Sequence, residues 1–197
     1  MSATSGSTAQ PLLRPDRRLR ADAARNHAAI LAAARAAIEA GGAEVALEEV
    51  ARRAGVAPST LYRRFAGRDE LVAAVLEDYV AESVEPLLAD AAEVEDPWAA
   101  LTGVLEGLVD GVTRHRGLLM AAKATGAFTP ELTARTLAPL GELLARAQAA
   151  GVVRADLEPV DLPVIVHMAV VTAEHDSGRW PRYLNLLLDG MARRPTP

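Results

Sequence analysis

An all-α fold is predicted for this sequence by three observations. Apolar residues recur at helical spacing along most of the chain, and no stretch sustains the period-two alternation of Val, Ile, Thr and aromatics that a strand needs. Gly and Pro break the sequence into helix-length segments. The expected architecture is three small N-terminal helices followed by a larger C-terminal helical bundle, about nine helices in all.

The elements follow in order. A first helix is expected after Asp22, a good N-cap, with Ile30, Leu31, Ala34, Ala37 and Ile38 on one face and Gly41-Gly42 as its stop. A second carries Leu47, Val50, Ala51 and Ala54 at i, i+3, i+4 and i+7 and ends at Gly55. Gly55 and Val56 separate it from a third, where Pro58 sits in the first turn and its missing N–H costs nothing. A fourth starts after Gly67, buries Leu71, Val75 and Tyr79, and runs toward Pro86. Asp96-Pro97 forms an N-cap and N1 pair for a helix with Leu101, Val104, Leu105, Leu108 and Val112 inward. A short helical stretch follows from Gly117. Thr129-Pro130 opens a region split or kinked at Pro139 and ended by Gly151. Asp161 to about Glu174 and Trp180 to Met191 close the chain with two strongly apolar helices. There is no internal repeat.

Composition narrows the function classes. The 197 residues include no cysteine, which removes disulfides, thiol nucleophiles and Cys-based zinc sites. No apolar run approaches the roughly 18 residues that span a bilayer. The N-terminal segment lacks the apolar centre of a secretory signal, so the expected location is cytoplasmic, with no membrane partner. Net charge is −5, but unevenly placed. Residues 1–70 hold eleven Arg and eight acidic residues, whereas 71–197 hold ten basic and eighteen acidic ones. A basic front on an acidic body suits a protein whose front alone meets a polyanion.

The segment GVAPSTLYRRF, residues 55 to 65, carries the most specific signal. Two short helices joined by a tight glycine turn make a helix-turn-helix, whose second helix enters the DNA major groove. Leu61 and Phe65, four apart, share a face with Pro58 and are expected to pack on Val50, Ala51 and Ala54. Ser59, Thr60, Tyr62, Arg63 and Arg64 then remain outside. Hydroxyls donate to phosphate oxygens, and guanidinium clamps phosphate or reads guanine. A structural hairpin in an unrelated all-α ligand-binding protein or enzyme is the alternative.

The stretch from RNHAAILAAARAAIEAGG through VARRAGVAPSTLYRRFAGRDELVAAVLEDYV resembles the DNA-binding domain of the tetracycline-repressor (TetR) family of bacterial regulators. The likeness spans residues 22 to 80 and includes the Ala-Gly-Val turn and the Thr-Leu-Tyr-x-x-Phe signature. It implies an N-terminal helix-turn-helix reader (21–67), a C-terminal ligand-sensing and dimerisation domain (68–197), and a homodimer. Residues 1–20 are expected as a disordered basic arm, with Arg14, Arg17, Arg18 and Arg20 placed to reach a minor groove or backbone. By the resemblance, Ser59, Thr60, Tyr62 and Arg63 match phosphate- and base-contacting positions, and Arg68 stands where the family usually has a phosphate-contacting lysine. Ala46 departs from the usual Ser or Thr cap, and Arg64 from the usual His before the Phe. The expected function is a ligand-responsive regulator, not an enzyme: a repressor that binds a palindromic double-stranded operator as a dimer. A small-molecule effector, shifting the fourth helix, is expected to release it.

The remaining chemistry-bearing residues give weaker signals. His167, Glu174 and His175 fall near one helical face, but His27, His115 and these histidines show no metal-ligand spacing. Neither a metal nor a cofactor is expected. Trp98, Leu105, Met120, Phe128 and Met168 are candidates for an effector pocket between helices of the bundle. Residues 160 to 192 lack a polar face and suit a dimer interface.

Overall fold

The computed structural model describes residues 15–175 and 179–193, with side chains from Asp22 onward except those of Ala43, Glu174 and His175. The chain forms α1 (Pro15–Gly41), a 3-10 turn (Gly42–Glu44), α2 (Leu47–Ala54), α3 (Pro58–Arg64), α4 (Arg68–Tyr79), a π turn (Val80–Val84) and α5 (Glu85–Ala92). These are followed by α6 (Pro97–Arg114), α7 (Arg116–Thr125), α8 (Pro130–Ala149), α9 (Asp161–His175) and α10 (Trp180–Met191). The all-α expectation holds. The only sheet-like feature among the described residues is an isolated antiparallel bridge between Val153 and Ala192.

The first three helices end where the backbone chemistry requires. Gly42 and Gly55 both take positive φ, +68°, which side-chain-bearing residues rarely adopt. Gly55 donates its N–H to the last carbonyls of α2, those of Ala51 and Arg52. Ala46 stands at the N-cap of α2 without a side-chain bond, so the first amides of that helix lack the usual cap. The turn between α2 and α3 holds Gly55, Val56 and Ala57, one residue more than expected, because Ala57 is extended and caps α3. Within the body, Asp96 Oδ1 accepts from the amides of Trp98 at 2.9 Å and Ala99 at 3.3 Å. Thr129 Oγ accepts from Leu132 N at 3.1 Å.

Several boundaries differ from the sequence reading. α1 begins at Pro15, so Asp22 is an interior position that pairs with Arg25 instead of capping. Arg14 lies outside the described residues, as do the side chains of Arg17, Arg18 and Arg20. Pro86 does not end the fourth helix. The path widens to a π turn in which Glu85 N–H reaches Val80 O, and it continues as α5. The wider turn accommodates a proline ring and its missing N–H without breaking the helix. That junction divides one expected helix into two, giving ten α-helices among the described residues. α8 likewise runs unbroken through Pro139.

One apolar core joins the front to the body. Ile30, Leu31, Ala34, Ala37 and Ile38 of α1 are all buried, in the same cluster as Leu71 and Val75 of α4 and Leu118 of α7. α1 packs on α2, α4 and α7; α6 packs on α5, α8 and α9; and α9 pairs with α10. Among the described residues no helix is long and apolar enough to cross a membrane.

Candidate nucleic-acid interface and cavity

α3 divides as its sequence spacing requires. Leu61 is fully buried against α2, while Tyr62 on the next position is 48% exposed. Phe65 is buried just beyond the helix, where its extended backbone (φ −127°) turns the ring inward to stack on His27 of α1 at 6.4 Å. Pro58 is exposed and does not join the Leu61 face, because it sits in the first turn where α3 leaves α2. Ser59, Tyr62, Arg63 and Arg64 are exposed, and Thr60 and Arg68 are half-buried.

Most donors on this surface already hold a partner. Tyr62 Oη donates to Glu48 Oε1 at 2.5 Å. That bond holds the Glu48 carboxyl below its ordinary range and pushes the Tyr62 phenol up. Arg68 Nη1 reaches Glu44 Oε2 at 3.1 Å, and Arg64 Nη1 reaches Ala23 O at 3.5 Å. Arg52 and Arg53 both bind Glu49, whose carboxyl falls to about 2, with Arg52 the larger cause. Arg63 alone of the outward arginines on α3 forms no hydrogen bond or ion pair with a described residue. The sequence reading missed the carboxylates. Glu48 meets Tyr62 of α3 only in the folded hairpin and Glu44 meets Arg68 of α4, whereas Glu49 pairs within α2.

A second site lies in the body. A cleft of about 380 Å³ is walled by Leu76, Tyr79, Val80 and Val84 from α4 and the π turn, with Leu88 of α5. Leu108 and Val112 of α6, four residues of α7 and four of α9 complete it with Phe128, Thr136 and Leu140. Of the five side chains expected in a pocket, Met120 and Phe128 line this cleft. Leu105 is buried in the core, Trp98 packs against that core, and Met168 points to solvent on α9. The difference is one of position along the helix: Leu105, Leu108 and Val112 share one face of α6 at i, i+3 and i+7, and only the last two lie at the level of the cleft.

Tyr79 links the cleft to the front of the molecule. Its ring, which lines the cleft, lies 4.9 Å from that of His115. Burial pushes the Tyr79 phenol up. His115 Nδ1 and Glu39 Oε1 are 3.4 Å apart, both buried and neither in an aligned hydrogen bond, while Glu39 Oε2 accepts from Gly117 N at 3.0 Å. Arg35 of α1 binds Asp78 of α4 at 2.8 Å, and Arg135 of α8 binds Glu77 of α4 at 2.7 Å. α4 is thus tied on one side to α1 and on the other to α8. Glu174 and His175, considered with His167 as possible ligands, have side chains outside the described residues. Among the described residues no group of three or more His, Cys, Asp or Glu is arranged to hold a metal.

A helix-turn-helix with a polar, arginine-bearing second helix on an all-helical body defines a DNA-binding regulator. The family model for bacterial regulatory proteins of the tetR family matches residues 30–75, and that for the SbtR-like transcriptional regulator C-terminal domain matches 96–193. The TetR transcription regulatory protein from Mycobacterium vanbaalenii is 35% identical, with 88% of this chain and 99% of that one covered and a TM-score of 0.65. A TetR transcriptional regulator from Streptomyces coelicolor is 29% identical, with 85% and 98% covered and a TM-score of 0.63. The fold is also shared by the regulator FadR from Bacillus subtilis, solved in complex with stearoyl-CoA, at 17% identity, 84% and 99% coverage and a TM-score of 0.69. A comparison with curated proteins gives no match. The chain belongs to the TetR family of transcriptional regulators.

Proposed function

We propose that the protein is a repressor that binds a palindromic operator as a homodimer and leaves it when a small molecule fills the cleft of the body. The observation that carries this reading is continuity. α4 begins at Arg68 beside the α3 surface and ends at Tyr79 in the wall of the cleft. A ligand that favours one position of Leu76, Tyr79 and Val80 biases the whole of α4, and the front follows because Arg35 and Asp78 hold α1 to it.

In the DNA-bound state, Arg63 supplies base or phosphate contacts, and Ser59, Thr60, Tyr62, Arg64 and Arg68 bind backbone. Two copies of α3 have to stand one helical turn, about 34–36 Å, apart. Val164, Met168 and Val171 form an exposed apolar stripe on α9 at i, i+4 and i+7, and Leu186 is exposed on α10. These side chains suit the two-fold contact, since a palindrome requires a two-fold protein.

The test is selection of bound fragments from a random genomic library, followed by a small-molecule screen for release of the selected fragment. A selected palindrome released by a cleft-binding compound supports the proposal. Selection of fragments without two-fold symmetry, or binding that no cleft occupant weakens, rejects it.

A further inference from the structure

The charge of the cleft does not match that of the region that builds it. Residues 71–197 hold ten basic and eighteen acidic residues, yet among the described residues the cleft lining contains Arg116, Lys123 and His167 and no carboxylate. The cations are placed by helix geometry. On α7, Arg116, Leu119, Met120 and Lys123 fall at i, i+3, i+4 and i+7, so a single stripe carries two apolar side chains between two positive ones. On α9, Pro163, Val166, His167 and Val170 repeat the spacing. Lys123 forms no ion pair with a described residue. Glu77 and Glu85, on the helices that flank the cleft, are held by Arg135 instead.

The rest of the wall is apolar except for Tyr79 and Thr136. A volume of about 380 Å³ lies within the range of small-molecule sites, where apolar walls supply affinity and a few polar groups fix orientation. A low-dielectric cleft lined by one sign of charge concentrates the opposite sign. Lys123 is exposed and stays hydrated beside a neutral ligand, whereas an anion gains a charge partner there and a cationic ligand meets repulsion.

We propose that this cleft takes an amphipathic anion. Its apolar chain lies against Val84, Leu88, Leu108 and Val112, and its carboxylate or phosphate head sits at Lys123 and Arg116. The inference rests on the effector role proposed above and names the chemical class of that effector.

Calorimetric titration of the full-length protein with decanoate, decyl phosphate, 1-decanol and decylammonium, all as monomers, tests it. The two anionic arms separate a carboxylate from a phosphate head. At least one anion is expected to bind about threefold or more tighter than decanol, as an exposed ion pair with an ammonium contributes. In Lys123→Met, whose folding is checked by thermal melting, that preference shrinks as the anion's affinity falls toward decanol's. Decanol or decylammonium binding as tightly as either anion overturns the proposal. So does a preference undiminished in the Lys123→Met, Arg116→Met double variant. Operator release followed in parallel separates the two claims. Anion binding without release keeps the ligand class and rejects the effector role. Release by decanol alone keeps the effector role and rejects the anion. Failure of all four probes to bind rejects both.

Discussion

Leu61 and Tyr62 are adjacent in sequence and opposite in environment, which makes them a direct probe of the inward and outward faces of α3. Leu61→Ala leaves a cavity where Val50 and Ala51 meet α3 and is expected to cost about 2–5 kcal/mol in chemical denaturation, with no DNA present. Arg63→Ala is expected to leave the melting temperature unchanged and to lose about 1–3 kcal/mol of discrimination between operator and mutated site in a binding titration. A stable Leu61→Ala variant would reverse the assigned faces. His27 gives a pH prediction. Its pKa is lowered first by burial and then by Arg64, against Asp78. A depressed folded-state pKa contributes stability above the unfolded value of about 6.5, lost as pH falls through the folded value. The melting temperature is therefore expected to drop more between neutral and mildly acid pH in the parent than in His27→Gln. These faces were legible in the sequence because i, i+4 spacing separates Leu61 and Phe65 from the polar set. The bond from Tyr62 to Glu48 was not, since it joins residues fourteen apart through the turn between α2 and α3.

Between elements, α1 and α7 approach closely at Gly117. A Cβ on Gly117 would stand 2.7 Å from Glu39 Oε2 and 2.9 Å from Glu39 Cα. The second contact is to backbone and cannot be relieved by a rotamer change. Gly117→Ala is expected to cost about 1–3 kcal/mol, the usual range for overpacking. Gly103 lies inside α6 with nothing within 4 Å of an added Cβ, so Gly103→Ala is expected to stabilise by about 0.5–1 kcal/mol through helix propensity. Opposite signs in urea denaturation check the pair. Caps and stops such as Asp96-Pro97, Thr129-Pro130 and Gly55 were legible because they act on backbone groups within four residues of themselves. Pro86 misled because the π turn that absorbs it depends on how α4 and α5 pack against α6, α7 and α8. The lining of the cleft was legible only in part for a related reason. Met120 and Phe128 are apolar residues that stay partly open, but periodicity does not say where along the shared face of α6 the core gives way to the cleft.

At the scale of the whole molecule, the proposed dimer and the uneven charge make separate demands. A charge at Leu186, exposed on α10, is expected to give a folded monomer with weakened operator binding in Leu186→Glu, read by light scattering and titration. Leu187 is half-buried on the core and would report folding instead. The salt dependence of operator affinity tests the central claim, that the α3 face of an acidic protein meets phosphates. Each neutralised phosphate contributes about −0.9 to the log–log slope. Arg63, Arg64 and Arg68 from two subunits give roughly six contacts and a slope near −5. Because Glu44 holds Arg68 in the free protein, Glu44→Gln should steepen the slope, and Arg68→Ala should flatten it by about two without changing the preferred sequence. Affinity that stays constant between about 50 and 200 mM salt would contradict the account, because no surface that neutralises phosphates escapes counterion release.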